Sequence, residues 1–342
     1  MRILVYSDNH FCEKCSIVSG YGEKYTARLE NQIESINWVE NLAYEKGCQY
    51  IICAGDFFDK PQLTDQELTA LREIEWAPAA HYFLVGNHES EENDLHFNST
   101  KALEGKNRFV ISKPVLFEEP GFELAFLPYM TESDRRPLDE YFSLVGKTPR
   151  IMISHNDLIG VQMGPVVSTI GFDPKEIGKY CTFCVNGHLH NGQVVDSQVL
   201  NLGNLTGKDF GENAARYPHR VMIIDTDTLK FEFIENPYAF NFYKFDVLTE
   251  KDLKQFNNLK NRAVLSVKCT ASLMPQVKAA FEANKNKIIG SKLIVVRTAD
   301  DSTTELDATD LSLDYFAKFY EICHEKIENT KVLDEELAEV LK

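Results

Sequence analysis

The chain has 342 residues, 44% of them hydrophobic and 26% charged, a globular composition with the length of about two domains. Its formal net charge of −16 excludes a protein that grips nucleic acid over its whole surface, since such proteins present broad basic faces. No apolar run reaches the ~18–20 residues that cross a bilayer and no secretory leader opens the chain, so a soluble, cytoplasmic protein without membrane contacts is expected.

The first strand is expected at 2–6, with a helix at 28–46 that carries Leu29, Ile33, Ile36, Val39, Leu42 and Ala43 at helical spacing. Further strands are expected at 50–54, 81–85, 123–127, 150–154, 182–186 and 221–225. Strands separated by helical patterns predict a layered α/β domain. Beyond residue 245 the spacing predicts a strand at 263–269, a helix at 273–284 and a strand at 291–297, a small β-α-β cap. An acidic stretch, D-D-S-T-T-E-L-D-A-T-D (300–310), then leads to amphipathic helices at 312–327 and 334–341. The stripe Leu313, Phe316, Phe319, Tyr320 and Cys323 needs a cover, either the chain's own cap or a partner helix.

Five short segments carry chemistry, most directly after an expected strand. They are S-D-N-H (Asp8, His10), G-D-F-F-D (Asp56, Asp59), G-N-H-E (Asn87, His88), S-H-N-D (His155) and G-H-L-H (His188, His190). Ligands bind at the carboxyl ends of strands in open α/β sheets, so five such segments can converge on one site. Carboxylates, an amide and imidazoles form a mixed oxygen and nitrogen set. That set suits two divalent ions such as manganese, zinc or iron better than magnesium, which prefers oxygen shells and retained water. Gly55, Gly86 and Gly187 are expected to let the backbone turn sharply at the ligands.

Cys181 and Cys184 lie only three residues ahead of His188 and His190, too close for a closed structural zinc site. Read as part of a strand, residues three apart point to opposite faces, so the pair cannot reach one zinc together. The cysteines are read as core and the histidines as ligands. A zinc site shared with Cys12 and Cys15 is conceivable, but reduced, free thiols are expected in a long chain without an export signal.

These motifs resemble the calcineurin-like metallophosphoesterase superfamily over residues 1–235, and within it the SbcD-type nuclease subunits of recombination and repair complexes, the short phage-encoded versions above all. L-N-L-G-N-L-T-G-K-D-F-G-E (200–212) is similar to the group's segment ending in F-G-E, and F-L-P-Y-M (126–130) to its apolar-Pro-aromatic segment. The resemblance implies an α/β metallophosphoesterase β-sandwich flanked by helices (1–240), a small α+β cap (241–300), and a linker with C-terminal helices (301–342). It implies that Asp8, His10, Asp56 and His190 hold one metal, and Asp56, Asn87, His155 and His188 another, with Asp56 bridging. His88 would contact the scissile phosphate or protonate the leaving oxygen. The implied activity is manganese-dependent cleavage of DNA, exonucleolytic on duplex ends and endonucleolytic on single strands. The implied partners are DNA and an SMC-like (SbcC-type) ATPase held through the C-terminal helices, with homodimerisation, for which 28–46 is a candidate region.

The segments depart from the group in places: Glu89 stands where Asp is usual, Asn204 where Ser-Pro is usual, and the loop after His10 is less basic. Residues 246–342 hold 14 Lys and Arg against 17 Asp and Glu, so most of the negative excess lies in residues 1–245. Asn204, Lys208, Arg216 and His219 are candidate substrate contacts, beside Arg135, Arg136 and Arg220; a solvated face is the plainer account of each. Two other functions compete. G-D-F-F-D-K-P lacks the arginine that protein phosphatases of the superfamily place after this motif, yet a small-molecule or nucleotide phosphodiesterase fits the same ligands. A mainly structural, partner-binding subunit is the other, and against it stands the full set of ligands.

Overall fold

The computed structural model describes residues 1–14, 18, 20–91, 95–163 and 166–296, all within one compact unit, Met1–Val296. The acidic stretch and the helices expected at 312–327 and 334–341 lie outside the described residues.

The strands in chain order are β1 (Arg2–Tyr6), β2 (Tyr50–Cys53), β3 (Ala80–Leu84), β4 (Arg108–Ile111), β5 (Val115–Glu119) and β6 (Phe122–Leu127). Then come β7 (Arg150–Ser154), β8 (Gln162–Met163), β9 (Val166–Val167), β10 (Phe183–Asn186), β11 (Gln193–Val194) and β12 (Val199–Asn201). The last are β13 (Arg220–Asp225), β14 (Phe231–Glu235), β15 (Asn241–Val247), β16 (Ala263–Thr270) and β17 (Ile288–Val296). The α-helices are α1 (Ala27–Glu45), α2 (Asp65–Ala70), α3 (Pro174–Tyr180) and α4 (Met274–Ala283).

One sheet has the order β14-β13-β1-β2-β3-β4 and a second β11-β12-β10-β7-β6-β5. In the first, β1 to β4 run parallel; in the second, β6, β7, β10 and β12 do, and antiparallel strands close the remaining edges. Side chains alternate along each strand, so each parallel strand serves two cores. Ile3, Val5, Ile52 and Leu84 meet Phe126, Ile151, Ile153 and Val185 between the sheets. Leu4, Tyr6, Ile51 and Cys53 face outward onto α1, and Ala125, Leu127, Met152 and Cys184 face outward onto α3. The result is a mixed α/β sandwich of two sheets with helices on the outer faces. Burial on both sides explains why these strands read in the sequence as unbroken apolar runs.

Helix α1 starts at Thr26, whose side chain accepts the Leu29 N–H, and it buries ten residues against the chain. Half of that face is polar. Arg28 donates to the Gly207 carbonyl at 2.6 Å, and Gln32 to the Asn9 carbonyl at 2.8 Å and to that of His10. The helix thus pins the loop after β1 to the segment after β12.

A third, parallel sheet, β15-β16-β17, has its own core, in which Val277 of α4 packs with Tyr243, Leu265 and Val267. The strand, helix and strand expected at 263–297 appear as β16, α4 and β17, and β15 joins them as a third strand. Among the described residues no helix is long and apolar enough to cross a membrane.

Candidate metal centre

The five motif segments leave the carboxyl ends of β1, β2, β3, β7 and β10, so both sheets contribute to one cluster. Turning back at a strand end costs backbone freedom. Asp8, His10, Asp56 and His188 all take left-handed backbone conformations, with φ of 51°, 50°, 49° and 74°. Of the three glycines singled out in the motifs, only Gly55 has positive φ, at +98°. The others are required for space: a Cβ on Gly86 would strike the Asp56 carboxylate, and one on Gly187 the Ser7 hydroxyl and the Ala54 carbonyl. Close approach, rather than turning, selects glycine there.

Possible ligand atoms gather into three overlapping groups: Asp8, His10 and His190; Asp56, His155 and His188; and His10, Asp56 and His88. The Nε2 atoms of His10 and His190 face each other at 2.9 Å. His155 Nε2 lies 3.2 Å from Asp56 Oδ2, and Asn87 Oδ1 lies 3.0 Å from His188 Nδ1 and 3.4 Å from His155 Nε2. Asp8 Oδ1 is buried without a hydrogen-bond partner. An orphaned carboxylate oxygen beside facing imidazole nitrogens is an arrangement that a divalent cation completes.

Outer partners orient the imidazoles. His155 Nδ1 donates to the Ala54 carbonyl at 2.7 Å, His190 Nδ1 meets Glu212 Oε1 at 2.7 Å, and His188 Nε2 meets Asp157 Oδ1 at 3.1 Å. Asp59 Oδ1 lies 3.0 Å from His10 Nδ1 and 2.5 Å from Lys208 Nζ, while the Asp59 carbonyl accepts from His88 Nδ1 at 3.1 Å.

The electrostatics follow from burial and these pairs. Burial pushes His10 down to about 4, against the pull of its Asp59 bond. Burial also opposes charge on His155, but adjacent Asp56 outweighs it and pushes the imidazole up to about 10. Asp56 itself is held well below the carboxylate range, the neighbouring His155, His10 and His88 overcoming its burial. Glu212, despite burial, is drawn down to about 2 by His190.

All eight sequence-singled residues, Asp8, His10, Asp56, Asn87, His88, His155, His188 and His190, meet in this cluster. The four candidate substrate residues do not share one setting. Lys208 reaches the cluster through Asp59 and lies 3.4 Å from His10 Nδ1. Asn204 is buried behind it, its N–H donating to the His190 carbonyl at 3.2 Å. His219 is buried too, with Nδ1 on Asn204 Oδ1 at 2.8 Å, and its place is behind Asn204. Arg216 is exposed, its guanidinium over the Tyr217 ring. Asp157 and Glu212 were visible in S-H-N-D and F-G-E, yet only the folded pairing shows which histidine each one holds.

The strand argument for the cysteines needs correcting. Cys181 ends α3 and precedes β10, so strand alternation does not separate it from Cys184. Both lie in the core outside the second sheet as free thiols, and contact with Cys181, together with burial, raises the Cys184 thiol well above its usual range. Cys12 is buried and free as well, and Cys15 lies outside the described residues.

A two-sheet α/β sandwich with carboxylates and imidazoles at its parallel strand ends defines a phosphoesterase-type metal site. Residues 1–192 match the calcineurin-like phosphoesterase family, more than half of the chain, and the protein belongs to that family. Solved structures similar to it include a dimetal phosphatase from Danio rerio, 12% identical, covering 69% of this chain and 99% of that one at a TM-score of 0.41. Another is the calcineurin-like phosphoesterase YfkN from Bacillus subtilis, 9% identical, covering 69% of this chain and 88% of that one at a TM-score of 0.36. No curated protein matches the chain.

Proposed function

We propose that the protein is a two-metal phosphodiesterase acting on DNA, the nuclease subunit of a recombination or repair assembly with an SMC-like ATPase. The observation that carries the phosphodiesterase reading is the pair of ligand groups, Asp8–His10–His190 and Asp56–His155–His188, side by side at the ends of two sheets. Manganese is the ion the resemblance implies, and the carboxylate and amide oxygens among the imidazoles give it a mixed oxygen and nitrogen set. When bound, two divalent ions neutralise phosphoryl charge and make the attacking water more acidic.

The remaining work falls to the chain. Asp56, between His10 and His155, belongs to both halves. His88 has Nδ1 committed to the Asp59 carbonyl, which leaves Nε2 as the nitrogen that serves substrate; an imidazolium there donates its proton to the leaving oxygen. Lys208, beside Asp59 and His10, adds a cation for a phosphate oxygen.

DNA as substrate rests on the resemblance of 200–212 to the SbcD-type segment, whose closing Glu212 is here the partner of His190. Lys60, which stands where protein phosphatases carry arginine, is paired with buried Glu67 at 2.9 Å and so serves the fold. An acidic chain gains DNA affinity from a partner, and the amphipathic stripe at 313–323 suits a helix of the ATPase. Dimerisation through other surfaces than the buried face of α1 completes the proposal.

The test is cleavage of linear duplex and circular single-stranded DNA with manganese by the full chain and by His88→Ala, beside hydrolysis of bis-p-nitrophenyl phosphate. DNA cleavage that needs manganese and His88 is expected. Hydrolysis of the small diester alone, with or without the ATPase, would favour a small-molecule phosphodiesterase. Absence of both metal binding and hydrolysis would leave only a scaffold role.

A further inference from the structure

Beside the metal-type cluster lies a cavity of about 230 Å³. Its floor is Pro128, Tyr129 and Met130, directly after β6, with Pro128 and Met130 buried and Tyr129 half-buried. Leu95 and Pro114 add apolar surface, and Ser112, Thr131 and exposed Asp134 bring polar groups to the lining. Thr131 Oγ1 donates to Asp134 Oδ2 at 2.6 Å.

The cavity is fastened to the cluster at three points. The Tyr129 ring lies 5.6 Å from that of His188, centroid to centroid. The Tyr129 N–H donates to the carbonyl of Val85, two residues before Asn87, at 3.2 Å. Asn156, fully buried beside His155, accepts the Met130 N–H at 2.9 Å and donates to the Pro128 carbonyl at 2.9 Å. The floor therefore moves with the ligands and not apart from them.

The volume falls below the ~300 Å³ at which pockets for drug-sized molecules begin, so the space admits one flat ring system and not a whole nucleotide. An aromatic wall offers stacking to any base, and a carboxylate and hydroxyls offer acceptors and donors to a base edge. The geometry points to a nucleobase subsite in which Tyr129 stacks the base next to the scissile phosphate and Asp134, with Ser112 and Thr131, contacts its edge. This rests on the phosphodiesterase reading above and gives that reading a place where a base is held beside the reacting phosphate.

The test compares kcat/KM for thymidine 5′-p-nitrophenyl phosphate with that for methyl p-nitrophenyl phosphate, which has no base, using the manganese-loaded full chain. Tyr129→Leu removes the ring at similar volume, and Ser112→Trp fills the cavity. Leu95→Trp fills it from another segment if Ser112→Trp does not fold, as judged by circular dichroism. The nucleotide-to-methyl ratio is expected to fall about tenfold to a hundredfold, mainly through KM, the worth of one stacked base. A ratio within twofold of wild type in both the ring-removing and a folded cavity-filling variant overturns the subsite. If wild type hydrolyses neither ester, the phosphodiesterase reading fails by itself, and calorimetric titration with deoxyadenosine decides the subsite. Binding weakened at least tenfold by the filling variant then upholds it, and equal or absent binding overturns it.

Discussion

In the half of the cluster formed by Asp8, His10 and His190, burial keeps His10 neutral down to about pH 4. In the half formed by Asp56, His155 and His188, the carboxylate 3.2 Å from His155 keeps that equally buried imidazole protonated up to about pH 10. The difference shows that burial alone does not set a ligand's readiness. In the first half His10 offers a free lone pair at neutral pH, although Glu212 raises the neighbouring His190 against its burial. A cation entering the second half must instead displace a proton from His155 and break an internal ion pair.

The strongest way to break this comparison is Asp56→Asn, which strips the shared carboxylate from both halves; kcat on a diester should fall about a thousandfold or more. Next is His88→Ala, for which the proposed role of His88 at the substrate predicts a cost of ~10²–10⁴ in kcat with the metal content of wild type, read by elemental analysis. Glu212→Gln and Asp157→Asn sharpen the comparison by loosening one half each. Stepwise manganese titration should show one site weakened ~10–100-fold by Glu212→Gln, through His190, and the other by Asp157→Asn, through His188.

The smallest effect is a proton count. Between pH 7 and 9 the second half should release about one proton from His155 on binding manganese, and the first half none from His10, as calorimetry in buffers of different ionisation enthalpy would show. Stability of the metal-free chain carries the same signature with opposite signs. The raised His155 stabilises the fold below its ordinary 6.5 and loses that contribution as pH rises toward 10. The lowered His10 destabilises as pH falls from 6.5 to 4, because the unfolded chain takes up that proton first.

The parallel strands that end at a motif were legible because burial on both faces makes them apolar runs: β1 and β7 have the expected bounds, β2 and β10 differ by a residue at one end, and β3 by a residue at each end. Strands β4, β5, β8, β9, β11, β12, β14 and β15 escaped notice. In β14, F-E-F-I-E has one partner strand and largely exposed side chains, so its pattern resembles a polar loop. The candidate ligand residues were readable from local motifs, but Asp157 and Glu212 acquire meaning only through partners 31 and 22 residues away. The cavity beside Tyr129 was beyond reach for the same reason, since its walls come from three separate segments.

The left-handed backbones at His10 and His188 carry one more consequence. Each such residue other than glycine holds of order 1–3 kcal/mol of conformational strain, a sizeable part of the ~5–15 kcal/mol by which a domain is stable. Glycine at either position would relax the turn while deleting a ligand. A descendant of this chain relieved of catalysis therefore has a short route to a higher melting temperature, and heat tolerance combined with loss of these two imidazoles would be the mark of a relative that has changed occupation.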